Sequence, residues 1–334
     1  MTPAAASAER PRSVVVVGSY NQDYAWHIDV APQAGETRRG DSFFSAPGGK
    51  GFNQAVACAR QGVATAFVGA IGADAAGNGA RELAQAEGID AHWLVRDDAA
   101  TGSACIVVEG SGQNRIIVAL GANERLDPAH LRAQSGMFAR TRVLLAQLEN
   151  NIEATRAAFE LASTHGLIRI LNPAPVHARL DAALLALVDV LTPNETEFSL
   201  LLARIAGDTL DACAVATLDD ARLHAYCRRL GVATVIVTLG AAGCFVSHAA
   251  DGAMGGDATA YYRIAAERVQ TIDTTGAGDA FNGALVAALA MAPERPLRAA
   301  VVQANRVAAL STERVGAAVA MPDAAAVRTR FGGD

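Results

Sequence analysis

Six short apolar runs limit what this chain can become more than any other feature: Val14–Val17, Ala66–Val68, Val143–Leu148, Ile168–Leu171, Val188–Leu191 and Val235–Val237. They are rich in β-branched residues and read as strands buried on both faces. Between most of them lie Ala/Leu/Arg-rich stretches of helical spacing. A strand–helix alternation implies right-handed crossovers, and so a three-layer α/β/α sandwich around a mostly parallel sheet. Composition fits this core. With 51% hydrophobic residues but only 5% aromatics, it must be built from Ala, Val, Leu and Ile.

Two segments break the alternation. Residues 21–46 are polar, punctuated by Gly and Pro, and lack a helical period. Residues 101–118 read as a hairpin, with strands Ala104–Val108 and Arg115–Val118 around the turn Glu109–Asn114. The plain alternative is two surface loops, but a small β lid formed from both segments over a site is the expectation taken here. No internal repeat or linker divides the chain, so residues 1–334 are expected to form one α/β domain. The Gly/Ala-rich residues 249–260 are expected to form a mobile loop.

The net charge of −6 speaks against a nucleic-acid partner, because nothing offsets phosphate repulsion over a broad face. The five cysteines are scattered and show no metal-ligand spacing, as in a reduced, cytoplasmic chain. The first residues hold no apolar segment of the signal-peptide kind. The longest apolar run, Ala284–Pro293, is about half of a membrane span. No membrane partner is expected. A phosphate-binding GxxxxGK[ST] loop fails because Gly51 follows Lys50, and a dinucleotide GxGxxG fails because the first strand leads into Gly18-Ser-Tyr-Asn.

The string that carries chemistry is Asp273-Thr-Thr-Gly-Ala-Gly-Asp279. Phe281, Leu285 and Leu289 follow at helical spacing, so a helix starts at this turn. Glycines Gly276 and Gly278 let the backbone come close to a ligand, and the first N–H groups of the helix, with Ala277 between them, can hold an anion. Asp279 lies in the same turn, where its carboxylate can take the proton of an attacking hydroxyl while the helix start keeps it ionised. A lone Asp after a glycine would more simply be a helix cap. The full string decides against that.

The string resembles the C-terminal signature of the ribokinase-like carbohydrate kinases, the PfkB family. Gly48-Gly-Lys-Gly-Phe-Asn-Gln54 is similar to the family's N-terminal signature. Gly18–Asp23, Gly121-Ala-Asn123, Gln147–Glu149, Asn172–Pro175, Thr192–Glu197 and Thr238–Gly240 stand in family order, so the resemblance runs from about Val14 to Pro322. It implies a kinase that uses ATP, with Asp279 as catalytic base and Gly276, Ala277 and Gly278 as anion nest. It further implies a sugar held by Asn21, Asp23, Gly49, Lys50, Asn53, Glu149 and Asp279, with D-ribose, phosphorylated at its 5-hydroxyl, as first choice. Asn194 and Glu197 would lie by Mg²⁺ and the phosphates. Thr238, Gly240 and Gly278 would face the nucleotide, and Asn305 the adenine. A K⁺ site would use Asp273 and Thr275 with carbonyls of Ser311, Arg314 and Gly316, although Ala320 stands where many relatives have Ser. A homodimer through the lid is also implied.

Three further points stay open. Tyr24 and Trp26 either touch the substrate or staple the lid. Residues 201–218 are longer than the family's matching stretch and are expected to be a surface excursion. A nucleoside kinase of the same family, or a non-catalytic sugar-binding sensor on the same fold, are the alternatives to a ribose kinase.

Overall fold

The computed structural model describes residues 13–111, 113–249 and 256–332. Half of the expected loop at 249–260, residues 250–255, therefore lies outside the described residues, as does residue 112 of the hairpin turn. In chain order the strands are β1 Ser13–Val17, β2 Asn21–Ile28, β3 Ser42–Gly48, β4 Ala64–Gly72, β5 Asp90–Arg96, β6 Gly102–Glu109 and β7 Asn114–Ala119. They continue with β8 Val143–Ala146, β9 Ile168–Leu171, β10 Val190–Leu191, β11 Thr234–Thr238, β12 Cys244–His248 and β13 Tyr261–Ile264.

Strand β1 shows why the sandwich has three layers. Its four consecutive valines are fully buried, and successive side chains on a strand point to opposite faces. Val14 and Val16 join one core with Phe52, Phe67 and Leu285, whereas Val15 and Val17 join a second with Leu144, Phe159 and Leu191. Both faces need cover. Helices Lys50–Arg60, Ala277–Met291 and Leu297–Ser311 supply it on one side, and Ile152–Thr164, Glu195–Leu201 and Asp220–Arg228 on the other.

Among the described residues the large sheet runs β13-β12-β11-β10-β9-β8-β1-β4-β5. Pairing is parallel from β11 to β5, and antiparallel between β11, β12 and β13. Each expected strand is present, with β8 and β10 shorter than their apolar runs. Strands β5, β12 and β13 lie outside the six runs. The edge strands β5 and β13 are only partly buried and so admit His, Trp, Tyr and Arg, whereas β12, one strand in from the edge, is buried throughout and holds Ser247 and His248 by side-chain hydrogen bonds to His224 and Thr234.

The two segments that break the alternation pair with each other. Strands β3-β2-β6-β7 form a second, four-stranded sheet, with β2 parallel to β6 and both edges antiparallel. The stretch 201–218 corrects an expectation. It is not a mere surface excursion, because Leu201, Leu202 and Val215 are fully buried in the second core. A π-helical turn, Leu202–Ala206, and a short helix, Ala212–Val215, carry them there.

One contact in the fold sets up the site. A Cβ on Gly283 would lie 2.4 Å from that of Ala57 and 2.6 Å from the Gln54 carbonyl oxygen. Glycine there lets helix Ala277–Met291 lie hard against Lys50–Arg60. The first helix carries Asp279, the second Asn53 and Gln54.

Candidate active site

The polar residues gather where parallel strands end, the usual ligand position in an open α/β sheet. After β1 come Gly18, Ser19 and Tyr20, leading into Asn21 and Asp23 on β2. Gln147 and Glu149 follow β8, Asn172 follows β9, and Thr192 and Asn194 follow β10. Helix Ala277–Met291 begins at the same end. Gly276 is its N-cap, with φ of 75° in the left-handed region that favours glycine. The N–H of Ala277 is taken by the Thr274 carbonyl at 3.2 Å. Gly278 and Asp279 sit in the first turn, where helix geometry supplies no intrahelical acceptor for their N–H groups. A Cβ on Gly278 would project into open space, as would one on Gly240. Both leave room for a phosphate to approach the backbone.

Asp279 does not cap its own helix. That helix start has no side-chain cap, and the Asp279 carboxylate turns to the neighbouring one instead. Its Oδ2 accepts from Asn53 Nδ2 at 2.9 Å and its Oδ1 from Gln54 Nε2 at 2.8 Å. Asp279 is 7% exposed. Burial lifts its pKa above the ordinary carboxylate value, with Lys50, Gln54 and Asn53 opposing and Glu149 reinforcing. The helix start does not dominate its titration, contrary to the sequence expectation. The outcome is a more basic carboxylate.

Helix Lys50–Arg60 also lacks a cap of its own, because its N-cap is Gly49. Glu149 caps it from across the sheet, its Oε2 accepting from the Lys50 N–H at 3.0 Å and from Ser19 Oγ at 2.7 Å. Ser19 Oγ in turn accepts from the Gly51 N–H at 3.3 Å. Asn123 is fully buried and ties β1 to the second sheet. Its Nδ2 donates to the Tyr20 carbonyl and to Asn21 Oδ1 at 3.0 Å, and its Oδ1 accepts from the Tyr20 N–H. Ser19, Gln54 and Asn123 were thus missed as site residues. All three carried one signal, their places inside family-like motifs.

The cluster is electrostatically tight. Burial pushes the Asp23 carboxyl up to about 7, Glu149 and Asp279 push the same way, and Lys50 opposes them. For Lys50, burial works against the charge, but Asp279, Glu149, Glu197 and Asp23 outweigh it and raise its pKa. Glu197 is raised too, first by burial, with the Asn194 N–H and Lys50 opposing. Hence Asn21, Asp23, Gly49, Lys50, Asn53, Glu149 and Asp279 share one neighbourhood, and Glu197 lies in the same field.

The other expected residues lie around it. Asn194 and Glu197 form a capping box at Glu195–Leu201, using Asn194 Oδ1 and Glu197 Oε2 and leaving Glu197 Oε1 outside the box. Thr238 pairs with Asn194 through an isolated bridge, and Gly240 opens a short 3₁₀ turn beyond it. Asn305 donates to the Ala265 carbonyl at 2.9 Å. Asp273 links two loops. Its Oδ1 accepts from the N–H and hydroxyl of Thr275, and its Oδ2 from the Gly316 N–H. Burial opposes the Asp273 charge, but these donors hold its pKa below the ordinary value. Ser311 Oγ bonds back to the Ala308 carbonyl, Arg314 is exposed, and Ala320 is buried. Among the described residues no three His, Cys, Asp or Glu converge as a metal cluster.

Strand parity answers the question of Tyr24 and Trp26. Both differ in parity from Asp23 on β2, so they point away from the Asp23 side. Both rings pack on Phe43, Tyr24 stacked at 6.4 Å and Trp26 tilted at 5.0 Å, so they staple the small sheet.

Residues 11–324 match the family model described as pfkB family carbohydrate kinase. The ribokinase of Haemophilus influenzae is 36% identical over 312 residues, covering 93% of this chain and 95% of that protein. The ribokinase of Mus musculus is 34% identical over 315 residues, covering 94% and 93%. A solved structure of Arabidopsis thaliana ribokinase complexed with ribose and ATP superimposes with a TM-score of 0.81 at 27% identity, covering 97% of this chain and 99% of that one.

Proposed function

The chain belongs to the pfkB family of carbohydrate kinases, and from that premise we propose that it moves the γ-phosphoryl group of ATP onto the 5-hydroxyl of D-ribose. One observation carries the proposal: a buried carboxylate at a helix start, Asp279, is held by two amides inside a ring of polyol-binding side chains. As the hydroxyl oxygen bonds to phosphorus and the bond to the ADP oxygen breaks, the hydroxyl proton passes to Asp279. The first-turn N–H groups of Gly278 and Asp279 stabilise the transferring group, and Lys50 adds positive charge beside it. Asn21, Asp23, Gly49, Lys50, Asn53 and Glu149 supply donors and acceptors for the sugar. An intact base sets the chain apart from a non-catalytic sensor. The nucleoside reading loses its support with Tyr24 and Trp26, which point away from Asp23.

A bound Mg²⁺ would supply charge neutralisation to the phosphates, and few protein ligands suffice for it because it keeps its waters. Asn194 and Glu197 would hold its water shell, and Thr238, Gly240 and Asn305 would line the nucleotide path. K⁺ would sit by Asp273 and Thr275, with carbonyls of Ser311, Arg314 and Gly316, and would stiffen the turn that leads to Gly276. ADP release should require added ribose, and its rate should rise when Na⁺ is replaced by K⁺ at constant ionic strength. ADP release without ribose would contradict the assignment, and a flat cation response would remove K⁺ from it.

We place residues 1–334 in one functional domain, with 21–46 and 101–118 closing over the sugar as a lid. The chain would work in the cytoplasm, where its free cysteines stay reduced. No helix among the described residues is long and apolar enough to cross a membrane. The small sheet exposes Phe43 and Ile117, the latter 73% exposed, on its two edge strands. Such edges invite pairing, so two copies would join through them. Ile117→Asp should convert a dimer to a monomer in sedimentation; a wild-type monomer would refute the interface.

A further inference from the structure

Of the two amides that hold Asp279, Gln54 continues into a line of buried amides that the mechanism above does not use. Gln54 Nε2 donates to Asp279 Oδ1 and, at 3.0 Å, to Asn172 Oδ1. Gln54 Oε1 accepts from Gln147 Nε2. Asn172 Nδ2 donates to the Thr192 carbonyl at 3.0 Å. Gln54 and Gln147 are fully buried, and Asn172 nearly so.

The polarity of this line is fixed by its far end. A backbone carbonyl can only accept, so the Thr192 oxygen demands the nitrogen of Asn172. Asn172 must then turn its oxygen to Gln54, and Gln54 must answer with its nitrogen. That same nitrogen faces Asp279. Gln147 secures the arrangement by donating to the other end of the Gln54 amide. The reverse orientation would set an amide oxygen against a buried carboxylate, with no donor between them.

We propose that Gln54 is a positioning residue for phosphoryl transfer: Asn172 and Gln147 lock its amide so that its N–H holds one oxygen of Asp279 while Asn53 holds the other. Two donors on two oxygens fix the plane of the carboxylate that takes up the hydroxyl proton. The inference rests on Asp279 being the base. The charged groups around that carboxylate are Lys50 from the same helix as Gln54, Glu149 beyond β8, Asp23 on β2 and Glu197 at the start of Glu195–Leu201. None of them contacts the amide line in place of Gln54, so its loss is left uncompensated.

Gln54→Leu keeps the bulk and removes the donor. It should lower kcat by about ten- to a hundredfold, since misplacing a catalytic group by an ångström costs up to that much. The KM values for ribose and ATP should stay near wild type, because Gln54 is not among the residues assigned to either substrate. The acid limb of the kcat/KM profile should move to higher pH, because a hydrogen bond that favours the ionised carboxylate is lost. Asn172→Ala, which leaves Gln54 in place but frees its amide to turn, should shift the limb the same way by less. It carries the test alone if Gln54→Leu fails to fold. A wild-type kcat and an unmoved acid limb would overturn the role of Gln54. Measured beside them, Asp279→Asn separates the two failures. If it is inactive while the amide variants behave as wild type, only the positioning role falls. If it is active, the base assignment falls first.

Discussion

Asp279→Asn should lower kcat by about 10²–10⁴-fold, the usual worth of a positioned proton acceptor, while nucleotide affinity stays close to wild type. A sugar hydroxyl is a weak nucleophile at neutral pH, so its proton must leave as the bond to phosphorus forms. The substitution keeps the side chain's size but takes away the basic oxygen. Stability should change little, because relief of a buried charge is set against an amide nitrogen turned towards one of the two donors, Asn53 Nδ2 or Gln54 Nε2, that the carboxylate accepts from. A carboxyl whose folded pKa lies above its unfolded value favours folding only while protonated, and that advantage is gone once the pH exceeds the folded pKa. Burial leaves Asp279 in that position, so its removal relieves a cost at neutral pH. A helix cap would behave otherwise, since Asn caps about as well as Asp and kcat would survive. Steady-state kinetics beside a thermal melt decide between the two, and a kcat within a few-fold of wild type excludes Asp279 from the chemistry.

Asn53→Ala should cost about a hundredfold in kcat/KM, as a raised KM for the sugar together with a lowered kcat, since one of the two donors on Asp279 goes with it, while the KM for ATP is little changed. Asn53 works at both ends. Its Nδ2 donates to Asp279, while its Oδ1 is buried without a hydrogen-bond partner among the described residues. A buried acceptor of this kind awaits a donor, and a sugar hydroxyl is the donor the site is proposed to receive. Alanine removes the acceptor and frees one oxygen of the base. Kinetics with ribose as the varied substrate, with ATP binding followed by calorimetry, provide the check. An unchanged sugar KM would take Asn53 out of the sugar site.

The parts legible in the sequence are those with short-range signals. Four valines in a row can only be a strand covered on both faces, and Gly-Ala-Gly-Asp before an apolar helical period can only be a helix start. The capping box of Asn194 and Glu197 was present as a spacing of three. Strands β12 and β13 were not legible, because each mixes polar and apolar residues much as a loop does. The roles of Ser19, Gln54 and Asn123 were hidden for a different reason. Each acts through a partner about a hundred or more positions away: Ser19 on Glu149, Gln54 on Asp279, Asn123 on Tyr20 and Asn21. The packing of one helix against another, made close by Gly283, reveals Gln54, and the meeting of segments distant in sequence reveals Ser19 and Asn123. The direction of Tyr24 and Trp26 was available all along, since a strand that aims Asp23 at the sugar must turn its even-numbered neighbours away.

The central claim is ribose-directed phosphoryl transfer, and one substrate panel tests it most directly. Purified protein with ATP, Mg²⁺ and K⁺ would be given ribose, 2-deoxyribose, fructose, adenosine or inosine, with kcat/KM measured for each and the phosphorylated position read by NMR. Ribose should give the highest kcat/KM, with the phosphate on the 5-oxygen. A higher value for adenosine or inosine, or a phosphate on any other oxygen of ribose, would contradict it.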